Sequence, residues 1–519
     1  MGKNILDFSK SKTGLKYYKY YDQIKNSGLF DEDYYRRTYN IKENEDPLTH
    51  YLLKGYKLSY NPSLDFDTEF YLNTYDNVKA ANINPLYHYM AYGKDEGKII
   101  QKAHCVTRKE EILNTNKVLL NNFNFKEEPL VSIIILNKDG INHLKVLFED
   151  FDKKTNYSNY EIIVVDNASS DDSVNYLKSL DLPIKIIENN VNESFSFANN
   201  QGAKIANGEY LLLLNNDIEP TYGWLSEMMA VMLNNENVGA VGSKLVFPFY
   251  PDNPEKSFTL QHSGDIFAER MYPCCLYAIN KSHKDLDLFD TTLNQTTKSI
   301  AVTGAVILVK KDIYDKLGGL DEDYDYGLED VDFCLKLHKN NYNTFYCGTS
   351  LLFHHESSTR VKSKDYVEKD KKNYKVFWNK WGEYLSKNLL LDKIYKNNFF
   401  SQKNLKIMII NNDLKNNDSV NQLAKYYVQS GYEVNVIDDF DDLYIGNSTD
   451  ILISFSNDYD FNNMICRDDL VIILIENNEM SIVNKTELSK MNFDSPLKIL
   501  DNIVDMLNSS EELWDLKIN

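Results

Sequence analysis

Four short apolar runs constrain the fold of this chain more than any other feature of its sequence. They lie at 131–136, 162–165, 184–187 and 211–214, with helical patterns between them. Continuous, non-alternating apolar runs are typical of strands buried on both faces, and strands that alternate with helices form a largely parallel sheet. Residues 129–395 are therefore predicted to form an α/β domain whose ligands bind beyond the carboxyl ends of the strands.

The first 105 residues contain a repeat rich in tyrosine. The segments 30–35 and 46–51 recur at 66–71 and 84–89, and the histidines His50 and His88 are 38 residues apart, a period typical of small helical repeats. Aromatic residues at helical spacing predict short amphipathic helices whose rings pack together. Two interpretations of the histidines stay open. They are core or capping residues of the repeat, or they bind an acceptor glycan together with exposed tyrosines.

Two further segments flank the central domain. Residues 106–128 are polar and rich in Asn and Lys, which predicts a linker that contains a helix. Residues 403–519 repeat the strand and helix pattern on a smaller scale and indicate a small Rossmann-like domain. No glycine-rich phosphate loop follows its first strand, and residues 401–519 carry 9 basic and 21 acidic residues. A structural or interaction role is favoured there over a second active site. Strands are predicted at 407–410, 434–437, 451–455 and 471–475, and a helix at 419–430.

Charge and hydropathy exclude several classes of function. The 519 residues carry a formal net charge of −20, which argues against a nucleic-acid partner because phosphate backbones attract Lys and Arg. No apolar run approaches the roughly 18–20 residues that cross a bilayer, and residues 1–14 contain no signal-peptide core. The six cysteines form no CxxC pair and show no metal-ligand spacing, which indicates reduced thiols. We expect a cytoplasmic protein without a transmembrane segment, for which peripheral association with the inner face of the membrane stays open.

Two polar clusters directly follow predicted strands, at 166–172 and 215–217. The carboxylate of Asp166 is suited to accept hydrogen bonds from a nucleobase or a ribose hydroxyl, although the same cluster also fits a helix N-cap. The second cluster ends in Asp217, whose carboxylate can hold a divalent cation that in turn holds a diphosphate, since hard oxygen ligands suit Mg²⁺ or Mn²⁺. A polar turn is the alternative interpretation of the second cluster.

A third cluster combines acidic residues with two later histidines. Glu329 and Asp330 begin a predicted helix, where acidic residues are favourable for the helix dipole alone. The functional interpretation is a general base, a carboxylate that takes the proton from an attacking hydroxyl. His354 or His355 could complete a metal shell, because neutral imidazole is a common metal ligand.

Together these clusters belong to a longer series of motifs along the chain. The motifs are VSII at 131–134, VVDNAS at 164–169, FANNQG at 197–202, LLNND at 213–217, VTGA at 302–305, GLDE at 319–322, EDVD at 329–332 and HHES at 354–357. With the motifs in this order, residues 131–381, roughly half of the chain, resemble the family-two glycosyltransferases, which are inverting enzymes with the GT-A fold. The tyrosine-rich repeats also resemble segments that lie beside glycosyltransferase domains in bacterial surface-polysaccharide proteins.

The resemblance implies a role for each matched residue. Asp217 and His354 would hold Mn²⁺ or Mg²⁺, and Asp330, paired with Glu329, would be the catalytic base. The donor would be a nucleoside-diphosphate sugar, with UDP- or dTDP-sugars favoured, and the acceptor a glycan, a lipid-linked glycan or a glycoprotein. The donor-binding positions would be Asn137, Asp166, Asn199, Asn216, Asp217 and Gly304.

Two departures from the family pattern refine this prediction. Asn215 stands where the family carries the first Asp of its DxD motif, so Asp217 is the one carboxylate there. The Gln-x-x-Arg-Trp motif of processive synthases does not follow His354, which favours addition of one or a few sugars. Specificity is expected from 247–297, a stretch without an interpretable pattern.

Two other classes of protein compete with this interpretation. A sugar-1-phosphate nucleotidylyltransferase can share the sheet but needs a glycine-rich basic loop, which the stretch 137–140 does not provide. A non-catalytic glycan-binding or scaffold protein could keep the fold and lose turnover. The presence of Asp217, Asp330 and His354 together argues against the second alternative.

Overall fold

The computed structural model describes most of the chain, and the statements on structure below refer to the residues it describes. Its helices and strands form an N-terminal helical region, a large central sheet and a smaller C-terminal sheet. The described residues are 12–121, 123, 125–250, 256–270, 275–281, 286–325, 327–356, 364–411, 417–438, 449–455, 470–476, 479–483 and 488–492.

The α-helices are distributed over all three regions. A 3₁₀ turn, Gly55–Leu58, and a π turn, Tyr89–Gly93, add to them in the N-terminal region. The helices are α1 (Lys12–Tyr18), α2 (Tyr21–Lys25), α3 (Glu32–Tyr39), α4 (Pro47–Leu53), α5 (Thr68–Thr74), α6 (Asp76–Ala80), α7 (Pro85–His88), α8 (Lys102–Leu119), α9 (Ile141–Leu147), α10 (Phe151–Thr155), α11 (Ser173–Ser179), α12 (Phe195–Ile205), α13 (Trp224–Asn234), α14 (Lys311–Lys316), α15 (Glu329–Lys339), α16 (Lys364–Tyr395) and α17 (Asn417–Gln429).

The strands of the central region are β1 (Val131–Asn137), β2 (Tyr160–Asp166), β3 (Ile184–Glu188), β4 (Tyr210–Asn215), β5 (Ile218–Pro220), β6 (Val238–Val246), β7 (Leu260–His262), β8 (Asp265–Arg270), β9 (Cys275–Asn280), β10 (Thr296–Ser299), β11 (Val306–Lys310) and β12 (Asn343–His354), of which β8 and β9 form a separate ribbon. The others form one mixed but mostly parallel sheet in the order β10-β12-β6-β11-β4-β1-β2-β3, with β5 paired to β12 and β7 to β6. Among the six strands from β12 to β2 in this order, β11 alone runs antiparallel to its neighbours, β4 and β6. This topology confirms the predicted α/β fold.

Both faces of the central sheet are covered, as its continuous apolar strands require. Side chains alternate across a strand, so Ile133 and Ile135 join one core with Trp224, whereas Ile134 joins the opposite core with Trp381. All five side chains are buried. Burying an aliphatic or aromatic side chain of this size stabilises the fold by about 1.5–3 kcal/mol. The two cores together fix the strands from both sides.

One edge of this sheet gathers the ends of several strands. The register places Asn137 opposite Asp166, and Leu136 opposite Asn215. Because β11 runs in the opposite direction, the residues that precede it lie at the same edge, where the carbonyl of Ala305 accepts a hydrogen bond of 2.9 Å from the amide of Asn215. The polar residues after β1, β2 and β4 therefore meet the turn before β11.

The N-terminal helices α1–α7 pack around a core of tyrosines and aliphatic residues. Equivalent contacts occur in both copies of the repeat: the hydroxyl of Tyr35 lies 3.0 Å from Nδ1 of His50, and that of Tyr71 lies 3.0 Å from Nδ1 of His88. Burial lowers the pKa of both histidines. These contacts favour the core interpretation of the two histidines over glycan binding.

Helix α8 begins earlier than the predicted linker 106–128 and is not a free connector. Its residue Ile112 is fully buried against Val246 and Phe353 of the central sheet. Phe70 of the repeat region stacks on Phe249, with 6.3 Å between ring centroids. The N-terminal region is therefore packed against the central domain, and the exact domain limits stay predictions.

The strands of the C-terminal region are β13 (Lys406–Ile410), β14 (Glu433–Ile437), β15 (Ile451–Ser454), β16 (Val471–Glu476), β17 (Glu479–Val483) and β18 (Leu488–Asn492). They form a second sheet in the order β14-β13-β15-β16-β17-β18. The four strands that the sequence predicted, β13 to β16, are parallel, and two antiparallel strands that the sequence did not predict extend the sheet. A buried ion pair between Lys393 of α16 and Asp450 joins this sheet to the preceding helix.

Within the described ranges, no helix is long and apolar enough to cross a membrane.

Candidate active site

Three of the predicted donor-binding residues form one hydrogen-bonded network at the sheet edge. The side-chain amide of Asn137 donates to Oδ1 of Asp166 at 2.9 Å, and its oxygen accepts from the amide of Asn216 at 2.8 Å. Oδ2 of Asp166 accepts from the backbone amide of Ser169 at 2.9 Å. Asn137 and Asp166 are buried, so their orientation is fixed. The structure thus brings together residues that lie 79 positions apart in sequence.

The loops after β1 and β2 are joined by a residue that sequence reasoning passed over. Asp139 accepts hydrogen bonds from the backbone amide and hydroxyl of Ser170 at 2.6 and 3.0 Å. The amide of Ser170 and the neighbouring Lys138 lower the pKa of Asp139 to about 2. A Cβ atom at Gly140 would lie 2.3 Å from the Asn216 amide nitrogen and 2.5 Å from the Asn137 amide oxygen, so a larger residue there would displace the Asn137–Asn216 contact. Asp139 consequently presents an ionised carboxylate beside the Asn137 network.

Asn199 lies on α12, and its donor-binding role stays a prediction. Its side chain is buried, and its amide donates to the carbonyl of Phe195 in the same helix at 2.9 Å. The next residue, Asn200, donates to the carbonyl of Leu320 at 2.9 Å and accepts from the Tyr314 hydroxyl at 2.6 Å. Asn200 therefore holds the loop that leads to α15, a structural function that its sequence motif does not reveal.

The two predicted metal ligands lie next to each other. Oδ1 of Asp217 is 3.2 Å from Nε2 of His354, and both side chains are largely buried. The pairing of β5 with β12 brings them together, since Ile218 lies opposite His354. His355 faces away from this pair, with its Nε2 at 3.7 Å from Glu219. Of the two histidine side chains, it is thus that of His354 that contacts the Asp217 carboxylate, whereas His355 donates its backbone amide to the Asp217 carbonyl at 2.9 Å.

The chemistry of this pair fits a divalent cation. Nδ1 of His354 is 2.8 Å from Oε1 of Gln261, and an amide oxygen can only accept, so Nδ1 carries the proton. In the neutral ring, the lone pair of Nε2 then faces the Asp217 carboxylate, and two acceptors 3.2 Å apart need a shared cation or proton. An octahedral ion with bonds of about 2.1 Å places neighbouring ligands about 3 Å apart. In the described part of the chain, no group of three or more His, Cys, Asp or Glu could hold a metal. Two protein ligands can still be enough, because Mg²⁺ commonly binds through one or two carboxylates and takes its other ligands from phosphates and water.

The predicted base is held at the start of α15 by the turn before β11. Oδ2 of Asp330 accepts a hydrogen bond of 2.7 Å from the backbone amide of Gly304, and Oδ1 accepts from the amide of Val331 at 2.8 Å. A Cβ atom at position 304 would lie 3.2 Å from Cβ of Asp330. Gly304 therefore lies directly against the predicted base, and its donor-binding role stays a prediction.

The two carboxylates at the start of α15 differ in how deeply they are buried. Glu329 is only 8% exposed, whereas Asp330 is half-buried and more open to solvent. The helix is anchored in the same first turn by Asp332, which is fully buried. Its Oδ1 accepts from Nε1 of Trp381 at 2.8 Å and pairs with Lys380 at 2.6 Å. Asp330 is accordingly the more accessible carboxylate of this pair.

A buried pair of titratable residues lies behind the base. Nε2 of His262 is 3.4 Å from the amide of Thr303, and its Nδ1 is 3.6 Å from Oδ1 of Asp265. Burial lowers the pKa of His262 to about 4. Burial, and then the charge of Asp330, raise the pKa of Asp265 well above its ordinary value. Both residues belong to the stretch 247–297, where the sequence offered no pattern.

The central region of the chain, which contains part of this site, matches a known family of enzymes. Residues 132–273 match the model of the family described as Glycosyl transferase family 2. That segment includes the Asn137–Asp166 network, Asp217 and Gln261. The match supports the prediction of a glycosyltransferase domain, of which it covers the N-terminal part, and it disfavours the nucleotidylyltransferase alternative.

Individual relatives match the same central region. An uncharacterized protein y4gI of Sinorhizobium fredii is 32% identical over 246 residues, which cover 45% of this chain and 25% of that protein. The O-antigen biosynthesis protein RfbC of Myxococcus xanthus is 29% identical over 235 residues, which cover 45% of this chain and 18% of that protein. The crystal structure of GalNAc-T7 with UDP, GalNAc and Mn²⁺ aligns with a TM-score of 0.37 and 14% identity, over 54% of this chain and 56% of that one. This chain spans a quarter or less of the length of these two curated relatives.

Proposed function

We propose that this chain is an inverting, non-processive glycosyltransferase that uses a UDP- or dTDP-sugar as its donor. The observation that carries the proposal is the link that β7 makes between two pairs of residues. Gln261 contacts His354 of the Asp217–His354 pair, and His262 contacts Thr303, which precedes the Gly304 amide that holds Asp330. Asp217 and β7 lie within the family-matching residues 132–273. We further propose a bacterial surface glycan as the acceptor, in the form of a glycan, a lipid-linked glycan or a glycoprotein. The name of the RfbC relative, an O-antigen biosynthesis protein, supports that choice.

The donor nucleotide would bind at the Asn137–Asp166 network. Each carboxylate offers about four acceptor sites, and Asp166 uses one for Asn137 and one for the Ser169 amide. Asp166 therefore keeps acceptor capacity for a ribose hydroxyl or a base N–H. Asp139 adds a partly exposed, ionised carboxylate on the same side. Asn216 lies between these residues and Asp217, so it would be close to the phosphates.

The diphosphate of the donor would lie next to Asp217 and His354. A divalent cation held there would neutralise the phosphate charge and stabilise the departing nucleoside diphosphate. The contact of Nδ1 with Gln261 keeps Nε2 of His354 available, and the burial of both ligands limits competition from water.

Asp330 would serve as the general base. Its carboxylate takes the proton from the acceptor hydroxyl as that oxygen attacks the anomeric carbon. The new bond forms on the face opposite to the bond that breaks to the nucleoside diphosphate, so the anomeric configuration inverts. The Gly304 amide holds one oxygen of Asp330 in place and leaves lone pairs free for the incoming proton.

A screen of nucleotide-sugar donors tests this proposal. Release of nucleoside diphosphate is measured with Mn²⁺, Mg²⁺ or EDTA for the wild type, for Asp330→Asn, and for Asp323→Asn as an exposed control in the same loop region. We expect one donor to react, with turnover lost in EDTA and in Asp330→Asn but kept in Asp323→Asn. Turnover that survives EDTA would contradict the metal role. Inactivity with every donor, together with no stabilisation by any nucleotide, would favour a scaffold protein instead.

A further inference from the structure

Gln261 is in contact with the metal-directed histidine, although nothing in the sequence marks it as functional. Its Oε1 lies 2.8 Å from Nδ1 of His354. The two residues come from different strands that share one neighbour: β7 pairs antiparallel with β6, and β6 pairs parallel with β12. Val246 of β6 lies opposite both Leu260 and Phe353, the residues that precede Gln261 and His354. The sheet therefore sets the distance between Gln261 and His354.

This contact selects one form of the imidazole. Because a carbonyl oxygen only accepts, Gln261 favours the tautomer that has its proton on Nδ1. Nε2 then offers its lone pair towards Oδ1 of Asp217, 3.2 Å away. Without this acceptor, the ring is free to adopt the other tautomer or to rotate, and either change removes the lone pair from Asp217.

Strand β7, which carries Gln261, is held in place by contacts of the next residue, His262. His262 is buried between the Thr303 amide, 3.4 Å from its Nε2, and Asp265, 3.6 Å from its Nδ1. Thr303 precedes Gly304, the residue whose amide holds Asp330. Two consecutive residues of β7 thus contact the two halves of the site, Gln261 on the metal side and His262 on the side of the base.

We propose that Gln261 is a positioning residue that fixes the tautomer and the ring orientation of His354 for a divalent cation. The inference rests on the proposed metal role of Asp217 and His354. Hydrogen-bond partners of metal-ligating histidines orient the ring and raise its basicity, and their loss costs about 10- to 100-fold in metal affinity. Gln261 would act in this way without contacting the cation.

The first test measures Mn²⁺ affinity directly by calorimetry, in the absence of any sugar donor. Gln261→Leu removes the acceptor and is expected to weaken Mn²⁺ binding about 10- to 100-fold. Gln261→Glu keeps an oxygen acceptor and is expected to retain or exceed the wild-type affinity. Gln422→Leu, an exposed site on α17, is the matched control and should bind like the wild type. Wild-type affinity in Gln261→Leu would overturn the inference.

A second set of variants separates this inference from the proposed function. If His354→Asn binds Mn²⁺ as tightly as the wild type, the metal role of His354 is wrong and the inference falls with it. If His354→Asn weakens binding and Gln261→Leu does not, only the positioning role is wrong. When both roles hold, adding Gln261→Leu to His354→Asn causes no further loss, because the two residues act as one unit.

The tautomer itself gives a readout that needs no metal. In metal-free protein labelled with ¹⁵N-histidine, we expect the His354 resonances of the wild type to show a proton held on Nδ1, with any proton on Nε2 shared with Asp217. The same spectrum of Gln261→Leu should show a mixture of tautomers or the opposite one. An unchanged spectrum in this variant would contradict the inference, even if the Mn²⁺ affinity had fallen for another reason.

Discussion

Lys109, on the helix that follows the tyrosine-rich repeats, contacts both carboxylate oxygens of Glu219, at 2.7 and 2.8 Å. Glu219 is mostly buried and lies two residues after Asp217. Burial alone would raise the pKa of Glu219, but His355 and Lys109 outweigh it and bring that pKa to about 2. The N-terminal region is thus bound by an ion pair to the strand beside the proposed metal ligands.

Removing the lysine of the Lys109–Glu219 ion pair should destabilise the protein. Lys109→Met leaves the Glu219 carboxylate buried without its main charge partner, and we expect a loss of about 1–3 kcal/mol in unfolding free energy. Lys153→Met is the matched control, because Lys153 pairs with Asp150 in solvent, where such pairs contribute about 0–1 kcal/mol. Thermal unfolding of both variants checks this. Equal unfolding midpoints would show that Lys109 contributes no more than a surface lysine.

The buried Asp265 should make stability depend on pH. Its pKa is raised in the folded state, so folding takes up a proton at pH values where the unfolded chain has lost it. The stability that Asp265 contributes is therefore complete below its ordinary pKa of about 3.9 and is lost as pH rises through the raised value. Asp265→Asn cannot ionise, so its unfolding free energy relative to the wild type should increase from pH 5 to pH 8. A constant difference over that range, measured by urea unfolding, would contradict the raised pKa.

The hydrogen bond from Trp381 to Asp332 can be tested against Trp378, a second buried tryptophan on α16. Nε1 of Trp381 donates to Asp332, whereas the buried Nε1 of Trp378 has no hydrogen-bond acceptor among the described residues. Both substitutions to Phe remove a similar volume, but only Trp381→Phe removes a hydrogen bond to a buried carboxylate. We expect Trp381→Phe to destabilise the protein by about 1–3 kcal/mol more than Trp378→Phe does. Equal thermal midpoints for the two variants would mean that Asp332 does not depend on this hydrogen bond.

The hydroxyl of Tyr35 should make the protein intolerant of any side chain larger than glycine at position 55. A Cβ atom at position 55 would lie 2.0 Å from that hydroxyl oxygen, closer than atoms can approach. Gly55→Ala alone is therefore expected to lower the thermal midpoint, and Gly55→Ala in a Tyr35→Phe background to lower it much less than in the wild-type background. A full double-mutant cycle measures the coupling. Additive effects would show that the clash is relieved elsewhere.

The sequence predicted those parts of the site that lie next to strand ends in the chain. Asn137, Asp166 and Asp217 each follow a continuous apolar run at its carboxyl end, and parallel strands bring such ends to one edge. The contacts of Lys109 with Glu219 and of Gln261 with His354 join residues 110 and 93 positions apart. Those contacts depend on how helices and edge strands pack, and no local pattern encodes them.

Neighbouring residues of the same type show a second limit of prediction from the sequence. A motif in the sequence includes both Asn199 and Asn200, but their position on a helix decides which one bonds within the helix and which one reaches the 314–322 loop. Similarly, Glu329 and Asp330 are equivalent as an acidic pair, and only their burial in the folded protein distinguishes them. Side-chain direction on a short helix is fixed by tertiary packing, which one sequence does not reveal.

The matched contacts of the two repeat units also have an evolutionary consequence. Each unit closes its own tyrosine–histidine hydrogen bond, and Tyr51 of the first unit bonds Thr68 of the second through their hydroxyls at 2.9 Å. A duplicated unit inserted in frame between them could remake both kinds of bond, whereas an insertion of arbitrary length would break the junction. The array can therefore change its reach by whole modules, and the catalytic sheet would inherit a longer or shorter arm without any change to its own residues.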